Sequence, residues 1–171
     1  RWYLVCYIAM AGAMLTKGPV GVIVPLLVVL VFVLLTQNFR KVICEARPFV
    51  GVLLFLCLTL PWYGSMLMIH GVTYLESAQA NTLGRYANII GGHGGTILFY
   101  IPVLLLGFFP WSGFLPLAFR DVVSDFKVYR MTGGQGQSLL VFAACWFMVL
   151  FLFFTFSATR LPHYIAPLFP A

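Results

Sequence analysis

Pro19-Val20-Gly21-Val22-Ile23-Val24-Pro25-Leu26-Leu27-Val28-Val29-Leu30-Val31-Phe32-Val33-Leu34-Leu35-Thr36 carries no charged side chain. As a helix rising about 1.5 Å per residue, it nearly matches the thickness of a bilayer's hydrocarbon core. Thr16-Lys17-Gly18-Pro19 precedes it, and a glycine followed by a proline is a stop and restart between two helices. The polar, basic stretch from Gln37 to Pro48 follows, with Arg40, Lys41 and Arg47 against Glu45.

The same alternation continues along the chain. Residues 2–15, 49–69, 97–119 and 139–157 also lack Asp, Glu, Lys, Arg and His. The chain of 171 residues is 62% hydrophobic and 8% charged, with a mean hydropathy of +1.01. A soluble domain of this length needs far more charge to cover its surface, so the reading is a membrane protein. The expected fold is all-α, a polytopic transmembrane helical bundle. Its spans are expected at about 2–15 (truncated), 19–36, 49–69, 97–119, 139–157 and 164–171 (truncated), with an outer interfacial loop and helix over 70–96. Arg1 at the start and an apolar run at Ala171 lead to the expectation of a fragment, a partial transmembrane domain of a larger protein. Pro102, Pro110 and Pro116 predict kinks within 97–119, supported by neighbouring helices. Pro61-Trp62-Tyr63 suits an interfacial aromatic belt.

Charge sets the orientation. Because spans alternate sides, Arg1, Arg40, Lys41, Arg47, Arg120, Lys127 and Arg130 fall on one face and only Lys17, Arg85 and Arg160 on the other. The positive-inside rule makes the richer face cytoplasmic. Lys17, Arg85, Arg160, His70, His93, His163 and Tyr164 are then outside. The cations are scattered singly or in twos, which argues against a nucleic-acid surface. Cys6, Cys44, Cys57 and Cys145 form no C-x-x-C pair and read as small buried apolar residues.

Each outer cation sits at a helix end: Lys17 in the Gly-Pro break, Arg85 after Gly84, Arg160 before Leu161-Pro162. In Ala158-Thr159-Arg160-Leu161-Pro162-His163-Tyr164 the proline restricts Leu161 to extended backbone and presents the polar residues on a turn. Gathered together, these groups form an anion site at head-group level. Taken singly, each snorkels to lipid phosphate. The uncharged spans lack the midplane ionisable residues that coupled transporters use. Tyr74, Leu75, Ala78 and Leu83 can share one face of a short interfacial helix, with Thr73-x-x-Glu76 as capping box and Gly84 as its stop. Glu76 is the one outer carboxylate, and capping is its first reading. Gly91-Gly92-His93-Gly94-Gly95 reads as a linker, with backbone N–H groups able to face an anion. Cations in quantity and hardly any base fit the leaving-group half of a reaction.

Leu15-Thr16-Lys17-Gly18-Pro19-Val20-Gly21, Leu60-Pro61-Trp62-Tyr63, Leu83-Gly84-Arg85-Tyr86, Gly92-His93-Gly94, Leu104-Leu105-Leu106-Gly107-Phe108-Phe109-Pro110-Trp111 and Arg160-Leu161-Pro162-His163-Tyr164 occur in that order. Together they resemble the bacterial GT-C membrane glycosyltransferases related to protein O-mannosyltransferases and to the aminoarabinose transferase that modifies lipid A. The resemblance implies a multi-span inner-membrane transferase with a periplasmic active face. It implies a polyprenyl-phosphate sugar as donor and a lipid or protein as acceptor. Arg85 and Tyr164 match the cation and tyrosine that hold the donor phosphate. Lys17 matches the lysine of the Thr-Lys-Gly motif, with Arg160 and His163 as further phosphate-site candidates. The catalytic carboxylate is expected upstream of Arg1. The cofactor is open: a divalent metal beside the phosphate is compatible, and no residue specifies one. The competing readings are a lipid-phosphate carrier or flippase and a structural polytopic protein.

Overall fold

A computed structural model describes residues 2–37, 39–88, 96–132 and 135–168. The first helix, α1 (Trp2–Lys17), ends where Gly18 takes φ +69° and its N–H donates to the Met14 carbonyl at 2.9 Å. That left-handed step is open to glycine at little cost, and Pro19 then leads into α2 (Val20–Thr36). The two helices form a tight antiparallel pair. A Cβ at Gly21 would lie 2.6 Å from the Ala13 carbonyl oxygen, so the missing side chain is what lets the backbones approach.

Gln37 (φ 54°) and Arg47 (φ 46°) bracket α3 (Phe39–Ala46), a short basic helix with its apolar and charged residues on different faces. Its place at the end of the bundle away from Lys17 suits the interface. Next, α4 (Pro48–His70) runs parallel to α1. Near one end Gly51 lies directly against the Tyr7 ring; near the other Tyr63 Oη donates to the Met14 carbonyl at 3.0 Å. Only Gly51 and Thr59 of α4 are buried, and Phe49 and Met68 are 83% and 90% exposed. Such an apolar exterior is stable against lipid and would not be against water.

Two clusters join α2 to α9 (Gln135–Thr155), which runs antiparallel to it. Val28 packs on Val141 and Cys145 in one. In the other, nearer Lys17, Val24 meets Leu150, Tyr100, Leu104, Ile165 and Leu168.

The structure differs from the sequence expectations in several places, and of the four cysteines expected to be buried only Cys145 is, while Cys6, Cys44 and Cys57 are exposed. Residues 97–119 break more sharply than the expected kinks. A 3₁₀ turn (Ile97–Phe99) leads into α7 (Tyr100–Gly107), and a second (Trp111–Phe114) leads into α8 (Leu115–Thr132). The chain bends by 110° between the two arms. Pro110 has no N–H to give a continuing helix, and the break falls beside it. Between the expected spans 97–119 and 139–157, where Arg120, Lys127 and Arg130 suggest a basic loop, the chain is helical through Thr132. Phe119 meets Phe147 edge-on at 5.7 Å and Phe126 joins the Val141–Cys145 cluster, while Arg120 and Asp121 stay exposed and pair at 3.5 Å. The helical spacing of those apolar residues outweighs the intervening charge.

The segment from 164 does not open a further α-helix within the described residues. It belongs to a 3₁₀ helix (Pro162–Leu168) whose Ile165 and Leu168 are buried in the core. Finally, the capping box and glycine stop are replaced. Here the N-cap of α5 (Val72–Gln79) is Gly71 (φ 59°), two residues before Thr73, and no side chain caps the helix. The chain then passes through a π-helical turn (Ala80–Gly84) straight into α6 (Arg85–Ala87). Gly84 keeps ordinary right-handed helical angles, so it does not end the helix. The Gly91–Gly95 loop, with His93, lies outside the described residues.

Candidate functional site

At the Lys17 end a cavity of about 440 Å³ opens between α1, the π turn, the end of α9 and the 3₁₀ helix Pro162–Leu168. That volume is within the usual range of small-molecule sites. Its polar lining is Lys17, Asn81, Thr82, Ser157, His163 and Tyr164; Tyr86, Phe153, Phe154 and Val20 complete the wall. Among the described residues no carboxylate lines it.

Each side chain arrives by a local cause. Lys17 occupies the last turn of α1, where a cation complements the helix dipole. The turn after it packs against the π turn: a Cβ at Gly18 would lie 3.1 Å from Thr82 Cγ2. Asn81 Nδ2 and Thr82 Oγ1 donate back to the Ser77 and Ala78 carbonyls at 2.9 and 2.7 Å. These bonds hold the two residues where the extra residue of a π turn aims them, and π turns recur at functional sites. Pro162 starts the turn that carries His163 and Tyr164, and the Tyr164 N–H donates to the Leu161 carbonyl at 3.0 Å.

A file of rings forms the aromatic wall. Tyr86 lies 4.9 Å from Phe153, Phe153 meets Phe154 edge-on at 5.3 Å, and Phe154 lies 5.4 Å from Tyr164. His163 stands edge-on to Tyr164 at 4.9 Å. Contacts of this kind add to simple burial and fix ring orientation.

Of the sequence candidates, Lys17, His163 and Tyr164 thus share one cavity. Arg160 is not among its lining residues: Nη2 donates to the Thr155 carbonyl at 3.2 Å, at the C-terminal end of α9. A cation satisfies the carbonyls and dipole of that helix end. Arg85 opens α6, one residue before the cavity-lining Tyr86; its side chain lies outside the described residues. Sequence reasoning missed Asn81, Thr82, Tyr86, Ser157, Phe153 and Phe154. Only Tyr86 carried a signal, as the neighbour of Arg85 in the Leu-Gly-Arg-Tyr motif.

A second cavity, about 320 Å³ and wholly apolar, lies between α2, α8 and α9 beside Cys145, away from these groups.

Among the described residues the chain is a helical bundle with no strands, and its fold is that of part of a polytopic GT-C-type membrane protein. In sequence the chain is similar to the undecaprenyl phosphate-alpha-4-amino-4-deoxy-L-arabinose arabinosyl transferase of Photorhabdus laumondii, with 27% identity over 165 residues. That match covers 96% of this chain and 28% of the relative. The corresponding Pseudomonas aeruginosa transferase is 29% identical over 153 residues, covering 90% and 26%. Among solved structures, ArnT from Cupriavidus metallidurans bound to undecaprenyl phosphate superposes with a TM-score of 0.79 at 27% identity. The superposition covers 99% of this chain and 29% of that one. The apo form of the same protein gives 0.70. No family model matches the chain. The likeness to aminoarabinose transferases read from the motifs is therefore borne out in sequence and in fold, over a chain that spans less than a third of those relatives.

Proposed function

We propose that this chain forms part of a bacterial inner-membrane glycosyltransferase that takes a sugar from a polyprenyl phosphate and gives it to a lipid or protein acceptor on the periplasmic face. The observation that carries the reading is the convergence of Lys17, His163 and Tyr164 on one cavity at the cation-poor end of the bundle. The relatives are named for undecaprenyl-phosphate-linked aminoarabinose, and one such protein was crystallised with undecaprenyl phosphate. Both facts favour a lipid-borne phosphate as occupant.

In this mechanism the donor phosphate sits against the Lys17 ammonium, the Tyr164 hydroxyl and the His163 imidazole. Arg85, one residue before Tyr86, supplies a further cation. As the bond from the sugar's anomeric carbon to the phosphate oxygen breaks, negative charge grows on that oxygen. Donors already in place stabilise this charge more in the transition state than in the ground state. The leaving phosphate stays on the lipid. The acceptor oxygen bonds to the anomeric carbon, and its proton goes to a general base that is not among the described lining residues of this cavity. The chain's share of the chemistry is binding and leaving-group stabilisation.

The test is transfer from a polyprenyl-phosphate sugar by the protein at its natural length. Lys17→Met and Tyr164→Phe each remove one bond to phosphate. A charge-assisted bond contributes about 1.5–3 kcal/mol, so Lys17→Met should lower transfer by roughly ten- to a hundredfold at unchanged expression. Wild-type transfer in both variants would refute the proposal. Donor lipid crossing vesicle membranes with no sugar transferred would assign the cavity to a carrier instead.

A further inference from the structure

The short segment between α9 and the 3₁₀ helix Pro162–Leu168 is tied to both of its neighbours. The Ala158 N–H donates to the Tyr86 carbonyl at 2.8 Å, and Thr159 Oγ1 donates to the Asn88 carbonyl at 2.7 Å. From the other side Tyr100 Oη accepts from the Leu161 N–H and donates to the Leu161 carbonyl, both at 3.2 Å. Ser157 Oγ, itself on the cavity, donates to the Thr159 carbonyl at 3.1 Å. Thr159 is 1% exposed and Tyr100 is fully buried. Bonds in such surroundings are directional constraints, because an unpaired group there is costly.

These ties join two stretches far apart in sequence. One is α6 with Asn88, which carries Arg85 and Tyr86. The other is the turn that presents His163 and Tyr164. We propose that Thr159 is a positioning residue of the site: its hydroxyl fixes the spacing between the Tyr86 wall and the Tyr164 wall, and so the fit around a phosphate. The inference rests on the polyprenyl-phosphate reading above and deepens it. Valine fills nearly the same volume as threonine, so the hydroxyl's role is separable from packing.

The experiment measures binding of undecaprenyl phosphate to the purified protein at its natural length, together with thermal unfolding without the lipid. Thr159→Val is expected to weaken binding about tenfold, the loss that one hydrogen bond of ordinary strength accounts for. Thr159→Ser, which keeps the hydroxyl, should bind like the unsubstituted protein. Unweakened binding by Thr159→Val overturns the proposal. So does equal weakening in the serine variant, or a loss of stability in Thr159→Val with affinity unchanged. Should Thr159→Val fail to fold, Tyr100→Phe removes the opposite clamp and keeps the buried ring; full affinity in that variant overturns the proposal. Failure of the unsubstituted protein to bind undecaprenyl phosphate refutes the parent reading instead, so the two failures are distinguishable.

Discussion

Replacing Gly18 by alanine tests the turn that places Lys17. Gly18 has φ +69°, in the left-handed region, where a Cβ crowds the following carbonyl and costs about 1–2 kcal/mol. The new methyl would also sit 3.1 Å from Thr82 Cγ2, tighter than ordinary contact, so the π turn must shift by a few tenths of an ångström. Both effects act in the same direction. Gly18→Ala should therefore destabilise the protein by about 1–2 kcal/mol and weaken binding of undecaprenyl phosphate by displacing Lys17. Gly12→Ala is the internal control. Gly12 lies within α1, a Cβ there meets nothing within 4 Å, and the change should stabilise by about 0.5–1 kcal/mol. The assay is unfolding in a single detergent for both variants and the parent. Equal stability of the two variants, or a Gly18→Ala protein more stable than its parent, would refute the account of the turn.

Three further outcomes are expected. Gly51→Ala places a methyl inside the Tyr7 ring and should cost about 1–3 kcal/mol in detergent unfolding, much of it recovered with Tyr7→Ala in a double-mutant cycle. Trp146→Phe removes the 2.9 Å bond from Nε1 to the Pro167 carbonyl and should cost about 1 kcal/mol or more by the same measurement, loosening the 3₁₀ helix that carries Tyr164. Cys44, exposed on α3, should react with a membrane-impermeant maleimide in inverted vesicles and not in intact spheroplasts, whereas buried Cys145 should react in neither. Labelling of Cys44 from outside would reverse the assigned orientation.

The helical framework was largely legible because hydrocarbon is an undemanding solvent. Uncharged runs such as Pro19–Thr36 can satisfy their backbone there only as helices. The Gly18-Pro19 stop was readable for a local reason, and the structure puts a positive φ on Gly18. Gly84 was misread because a glycine ends a helix only where the chain needs a left-handed residue, and here the helix continues. The sharp bend between α7 and α8 was half legible: Pro110 marked a break, but prolines do not state an angle. Of the cavity's lining, Lys17, His163 and Tyr164 were legible as candidates because isolated polar groups stand out in an apolar chain. Tyr100 and Thr159 were not, since a tyrosine or threonine beside an apolar run looks like any interfacial residue. Their hydrogen bonds go to partners some 60 or 70 positions away.

The contacts that close the cavity bear on how the protein is made. Gly18 meets Thr82, and Thr82's neighbours through Asn88 await Ala158 and Thr159. A nascent chain leaving the ribosome therefore has its lysine and Tyr86 in the bilayer well before the residues that brace them have been translated. Until α9 is inserted, the half-built pocket lacks its far wall. The cavity is thus complete only in chains that have finished this part of their integration.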